Sequence, residues 1–118
     1  MTSESLEACP RLTGAFGLLG KRWNALILDV LAVRPARFGE LDKAIPGISD
    51  RVLGERLHEL VEAGLLVHRR PPSGRATYEL TEAGRSLQPA LEAIRAWWAQ
   101  AQAEPPEPPE PPRPGNPL

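Results

Sequence analysis

The stretch "GISDRVLGERLHELVEAGLL", residues 47–66, decides the fold. Ser49 stands where a helix N-cap belongs, its hydroxyl placed to accept a free amide of the first turn. From there an amphipathic helix is predicted to run to Ala63. Gly64 follows as the residue that ends a helix by adopting a left-handed conformation. Leu53, Leu57 and Leu60 fall on one stripe at helical spacing and belong to a core. Arg51, Glu55, His58 and Glu62 fall on the opposite side, with Gly54 at its flank. Just upstream, "RFGELDKAI" (residues 37–45) reads as a shorter helix, closed by Pro46-Gly47. Two helices joined by so tight a turn make a helix-turn-helix, whose second helix ordinarily enters a major groove by its N-terminal residues.

The polar face of the second helix suits that task. Arg51 lies near the N-terminus, where the helix dipole and free amides also favour phosphate. Glu59 and Glu62 lie at the far end, where DNA would be repelled. Gly54 sits mid-helix at a cost of about 1 kcal/mol relative to alanine. It either permits close approach to a base or is simply tolerated. The plainer reading of the whole face is a solvated helix surface.

Further upstream, "LTGAFGLLG" (residues 12–20) is a short apolar helix. "KRWNALILDVLAV" (residues 21–33) is a stronger one, with Trp23, Leu26, Ile27, Val30 and Leu31 at helical spacing and Pro35 preventing continuation. Downstream, "LLVHRR" (residues 65–70) and "ATYEL" (residues 76–80) read as strands around the turn cluster "PPSG". A last helix is capped by Thr81, and Pro89 is expected to bend or divide it. The order is that of a winged helix-turn-helix: mostly α, with a small β-hairpin. Arg69, Arg70 and Arg75 flank the hairpin tip, where an arginine can reach phosphates or a narrow minor groove. An ordinary charged hairpin would carry such residues too.

The totals agree with one domain. The chain has 118 residues and a formal net charge of −1, a length suited to a single modest core. Residues 9–103 hold 13 basic and 10 acidic side chains, so this part is mildly basic. Residues 1–8 are expected to be a flexible N-terminus and residues 9–103 the domain. In residues 104–118, "EPPEPPEPPRPG" is expected to be disordered or a stiff polyproline II strand, because proline removes the amide donor. Cys9 is the sole cysteine, which excludes an internal disulfide and fits a reduced cytoplasmic setting. No leader or apolar run of membrane length is evident. His58 and His68 lack further ligands at metal spacing. No catalytic constellation stands out, and no cofactor is expected.

"CPRLTGAFGLLGKRW", "RFGELDKAIPGISDRVLGERLHELVEAGLLVHR" and "YELTEAGRSLQPALEAI" resemble the HxlR-type transcriptional regulators, a branch of the MarR-like winged-helix proteins. The resemblance covers roughly residues 9–98. Its most specific pieces are Cys9-Pro10, Gly20 to Trp23, Arg37 to Leu41, Pro46 to Ser49, and Leu80 to Gly84. It implies a homodimer, held by the N-terminal region and the last helix, that binds a pseudo-palindromic operator near its own gene. It also implies groove reading by the helix after Ser49 and a wing between the strands. One departure is Gly54, where the family usually has a small hydroxyl residue; this puts the operator's identity in doubt. Several members of the family sense oxidants, quinones or aldehydes through a cysteine at the position of Cys9. The chemistry needs an exposed thiolate, whereas a lone cysteine is commonly a small buried hydrophobe.

The expected DNA contacts are therefore Ser49, Asp50, Arg51, Gly54, Glu55 and His58 in the groove. Lys21, Arg37, Arg56, Arg69, Arg70 and Arg75 are expected at phosphates or the minor groove. Leu12, Phe16, Leu87, Leu91, Ile94, Trp97 and Trp98 form the expected dimer interface, since aromatic residues are enriched at interfaces. The function expected is a dimeric repressor binding double-stranded DNA, responsive to redox or electrophile stress through Cys9. Two alternatives stand beside it. One is a winged helix turned towards a protein partner, suggested by Glu55 and the Pro/Glu tail. The other is a regulator sensing a small hydrophobic effector in a dimer cleft near Trp23, Trp97 and Trp98.

Overall fold

The computed structural model describes residues 6–103. The Pro/Glu-rich segment and residues 1–5 lie outside the described residues. The elements, in order, are α1 (Pro10–Leu19), α2 (Asn24–Leu31), α3 (Phe38–Ala44), α4 (Asp50–Glu62), β1 (Leu66–Arg69), β2 (Thr77–Leu80), α5 (Glu82–Ser86) and α6 (Gln88–Ala103).

The core lies between α2, α3, α4 and the root of the hairpin. Ile27, Leu28 and Leu31 of α2 meet Leu41 of α3, Leu53, Leu57 and Leu60 of α4, and Leu66 and Leu80 of the strands. The leucine stripe of α4 is fully buried. Ser49 caps α4, its Oγ accepting from the Val52 amide at 3.1 Å. The turn before it needs Gly47, whose φ is +91°. Gly64 ends the helix with φ +80°, a conformation in which a β-carbon would be strained.

β1 and β2 pair antiparallel, with Leu66 opposite Leu80 and His68 opposite Tyr78. A short third pairing, not expected from the sequence, anchors the hairpin to the body. Ala36 donates to the Tyr78 carbonyl at 3.1 Å and accepts from its amide at 2.7 Å. One paired residue after Pro35 leaves no alternating pattern to read.

The Leu80-to-Gly84 motif is a junction. The Thr81 hydroxyl accepts from the Gly84 amide at 3.1 Å and donates to the Gly64 carbonyl at 2.6 Å. A β-carbon at Gly84 would collide with the Leu65 carbonyl oxygen. The end of α4, the start of β1 and the start of α5 are thereby fixed to one another.

The start of one helix is corrected, and two further features of the helices take definite form. The second helix begins at Asn24 rather than Lys21, because Lys21 to Trp23 form a turn in which the Asn24 amide bonds the Lys21 carbonyl at 3.2 Å. Leu26 is 47 % exposed, since it faces the outer half of α6, which passes beside it without covering it. The last helix divides at Leu87, ahead of Pro89. Proline has no amide for an interior helical bond, but in the first turn of a new helix that amide is not needed. The Leu87 carbonyl restarts the ladder, accepting from Leu91 at 3.1 Å.

Candidate nucleic-acid interface

The core stripe of α4 fixes what its other side presents. Arg51 is 76 % exposed and Glu55 48 %, one turn apart, joined by an Arg51 Nη1 to Glu55 Oε1 bond of 2.7 Å. His58 follows, 3.7 Å from Glu62. Gly54 lies beside them, and a β-carbon there would meet nothing within 4 Å. Ser49 and Asp50 are exposed at the entrance of the helix. Asp50 approaches Asp42 of α3 across the turn. The Asp42 carboxyl is held above its ordinary range, first by burial and then by the Asp50 charge.

Four of the expected phosphate contacts, Lys21, Arg37, Arg56 and Arg69, are paired with carboxylates. Lys21 pairs with Glu59 of α4, and Arg56, with a side chain only 22 % exposed, pairs with Glu59 at 3.4 Å. Glu59 also accepts from Asn24 Nδ2 at 2.9 Å. Lys21 first, and Asn24 next, hold the Glu59 carboxyl below its ordinary range. Asn24 is fully buried, and its amide also donates to the Leu18 carbonyl at 2.8 Å. It therefore caps the end of α1 and grips α4 at once. Sequence reading passed over Asn24 as one polar residue in an apolar helix; its position at the hydrophobic start of α2 was the available signal.

Arg37 and Arg75 are brought together. They line an open cleft of about 380 Å³ between the start of α3 and the hairpin tip, with Phe38, Glu40 and Lys43. Lys43 was missed, because a lysine on a short polar helix has no distinguishing spacing. Glu40 is occupied by Arg34 at 2.7 Å and by the Arg37 amide at 2.9 Å. Those two bonds hold its carboxyl down to about 2. Arg69 is tied across the strands to Glu79 at 2.8 Å, whereas Arg70 is exposed. On the opposite sheet face His68 stacks on Tyr78, centroids 4.1 Å apart and planes within 2°. Burial, and then the charge of Arg70, lower the His68 pKa.

Away from this surface, α1 buries none of its residues, and Leu12 and Phe16 are exposed. On the α5–α6 segment, Leu87 and Leu91 pack on the chain's own core. Ile94, Trp97 (66 % exposed) and Trp98 (57 %) do not. Leu26, Leu91, Ile94 and Trp98 line an apolar groove, bordered by the Asp29–Arg95 ion pair. Cys9 is exposed immediately before α1. No helix among the described residues is long and apolar enough to cross a membrane.

A helix-turn-helix with an exposed second helix, followed by a basic hairpin, defines a winged helix-turn-helix DNA-binding transcriptional regulator. Residues 18–106 match the HxlR-like helix-turn-helix family, and the chain belongs to it. The chain is 43 % identical over 91 residues to the HTH-type transcriptional regulator YodB of Bacillus subtilis, spanning 75 % of this chain and 81 % of YodB. It is 42 % identical over 93 residues to the HTH-type transcriptional regulator YvaP of the same organism, spanning 77 % and 86 %. The reduced form of YodB superposes with a TM-score of 0.74 over 86 % of this chain and 100 % of that one, at 41 % identity. The quinone-bound form of YodB superposes at 0.71 over 79 % and 99 %, at 42 % identity.

Proposed function

We infer that this chain is a cytoplasmic homodimeric repressor that binds a pseudo-palindromic operator and is released from it when Cys9 is modified. The observation that carries the DNA-reading part is the face of α4. Its buried leucine stripe leaves Arg51, Glu55 and His58 outward on the side away from the core, with Gly54 at the flank. Ser49 and Asp50 stand at its entrance. Arg37, Lys43 and Arg75 flank it as phosphate contacts, and Arg70 extends the wing. Lys21, Arg56 and Arg69 hold acidic neighbours and act chiefly by keeping the elements in place.

The dimer reading is supported by the apolar surface that one chain leaves open: Leu12 and Phe16 of α1, Leu26 of α2, and Ile94, Trp97 and Trp98 of α6. So many large apolar side chains near both termini favour a second copy. Leu87 and Leu91 support this surface from beneath. The groove along Leu26, Leu91, Ile94 and Trp98 also favours a second reading, in which a small hydrophobic effector enters the dimer cleft.

For regulation, the support is the exposure of Cys9 beside the exposed α1, together with the quinone-bound and diamide-treated forms in which YodB has been described. Operator binding by the full chain before and after benzoquinone or diamide treatment tests this. Release by the wild type but not by Cys9→Ser is expected. Undiminished binding by protein whose Cys9 modification is verified by mass spectrometry would contradict it.

A further inference from the structure

We propose that Arg51 and Glu55 act as one unit that reads a G·C base pair, with guanine contacted by Arg51 and cytosine by Glu55, once in each half-site. The proposal rests on the DNA-reading function of α4 inferred above and adds the base that it selects.

Arg51 lies on the second residue of α4, in the part of a recognition helix that reaches base edges. Among the described residues its partner is Glu55, bonded through Nη1 alone. The guanidinium keeps its Nε and Nη2 edge, two parallel donors in a rigid fork. Glu55 Oε1 is taken by Arg51, and its Oε2 lies 3.7 Å from Arg56 Nη2. Each Glu55 oxygen retains lone pairs. The pair therefore presents a donor fork with an acceptor beside it, at the mouth of an otherwise open face. Gly54, next to Glu55, places no side chain in the way.

The base pairs can be compared with that pattern. In the major groove a G·C pair shows two adjacent acceptors, guanine N7 and O6, and then a donor, cytosine N4. The fork meets the two acceptors and the carboxylate meets the donor. An A·T pair alternates acceptor, donor and acceptor and ends in a methyl group. There the fork finds one acceptor next to a competing donor. A carboxylate facing acceptors or phosphates is repelled, so Glu55 penalises the wrong pairs as well as favouring the right one. Its bond to Arg51 also holds the long arginine side chain before DNA arrives, reducing the ordering cost of binding. The other ionisable groups on this face do not supply the fork. His58 is a turn further on, and Asp50 is turned towards Asp42.

In a two-fold dimer the G·C pair recurs with its strands exchanged, at centres about 10 base pairs apart or a multiple of that. The test is repeated selection of random duplex DNA by the full wild-type chain, and by Arg51→Ala and Glu55→Gln, followed by sequencing. Both side chains are exposed, so the variants retain the fold. The wild type is expected to enrich sites with an invariant G·C pair in each half. Arg51→Ala removes every donor of the fork, whereas lysine could still donate to guanine. It should lose guanine preference at that position by about tenfold while the other positions persist. Glu55→Gln should admit other base pairs there more freely. A wild-type site without an invariant G·C pair would overturn the proposal, as would an Arg51→Ala site identical to the wild type, which would make Arg51 a phosphate contact. Enrichment of no sequence at all would contradict DNA reading by α4 itself, and this proposal with it.

Discussion

Asn24 is buried completely, yet two elements depend on its amide. Its bonds to the Leu18 carbonyl and Glu59 satisfy the end of α1 and fasten α4 to the start of α2. Replacing it with alanine takes the side-chain donor from the Leu18 carbonyl, while Glu59 keeps Lys21 and Arg56. The expected loss is about 1–3 kcal/mol in urea unfolding. An unchanged midpoint would remove Asn24 from the list of fold-determining residues. Gly84 makes a similar prediction for a different reason. A methyl group there meets the Leu65 carbonyl oxygen, which is backbone and cannot swing away. Gly84→Ala should therefore destabilise the chain by about 2 kcal/mol or more, while an alanine tolerated without loss would mean that the α4–β1–α5 junction is looser than drawn.

At the scale of elements, the hairpin carries two predictions. His68 is kept neutral by burial and by Arg70, so its pKa in the fold lies below its ordinary 6.5. Such a group binds a proton more readily in the unfolded chain. The contribution of the neutral ring is present above pH 6.5 and is lost as pH falls through that value towards the lower folded pKa. Protection factors of the β1 and β2 amides, taken relative to intrinsic exchange at each pH, should fall over that acid range in the wild type and lose this dependence in His68→Phe. Arg75 belongs to the DNA side of the same element. Arg75→Ala should weaken binding and lower the logarithmic salt slope by about one. A constant slope would detach the wing from the phosphates.

The hairpin also shows where sequence legibility ended. Its strands were readable from their β-branched and aromatic residues and the Pro-Pro-Ser-Gly turn, and α4 from its leucine spacing and caps. The Ala36–Tyr78 bridge was not, because one residue has no periodicity. The exact division at Leu87 was hidden for another reason. A proline announces a break nearby, but which carbonyl restarts the ladder depends on packing. Among site residues, those on the outer face of α4 were legible because one face of a helix dictates the other. Lys21 and Arg56 looked like free cations, and only tertiary contact with Glu59 shows their commitments. Leu91 had the spacing of an interface residue, and the same spacing serves the core.

For the whole molecule, the features divide between two regions: polar and basic groups around α4 and the wing, and uncovered apolar groups on α1, α2 and α6. The second region is the proposed seat of the partner copy, which would set the spacing of the two reading helices. Trp98→Glu should shift the protein to monomer in sedimentation equilibrium and reduce operator affinity by about a hundredfold, because the second half-site is no longer tethered. A dimer that persists would place the interface elsewhere.

The central claim is that α4 and the wing read a specific DNA sequence. Its most direct test is binding of the reduced full chain to the DNA upstream of its own gene, in competition with a shuffled fragment of equal composition. The measurement belongs at about 150 mM salt, where nonspecific phosphate contacts no longer dominate. Tight binding to the upstream fragment and weak binding to the shuffled one are expected. Equal affinity for both would contradict sequence reading at that site and turn attention to a protein partner for the same face.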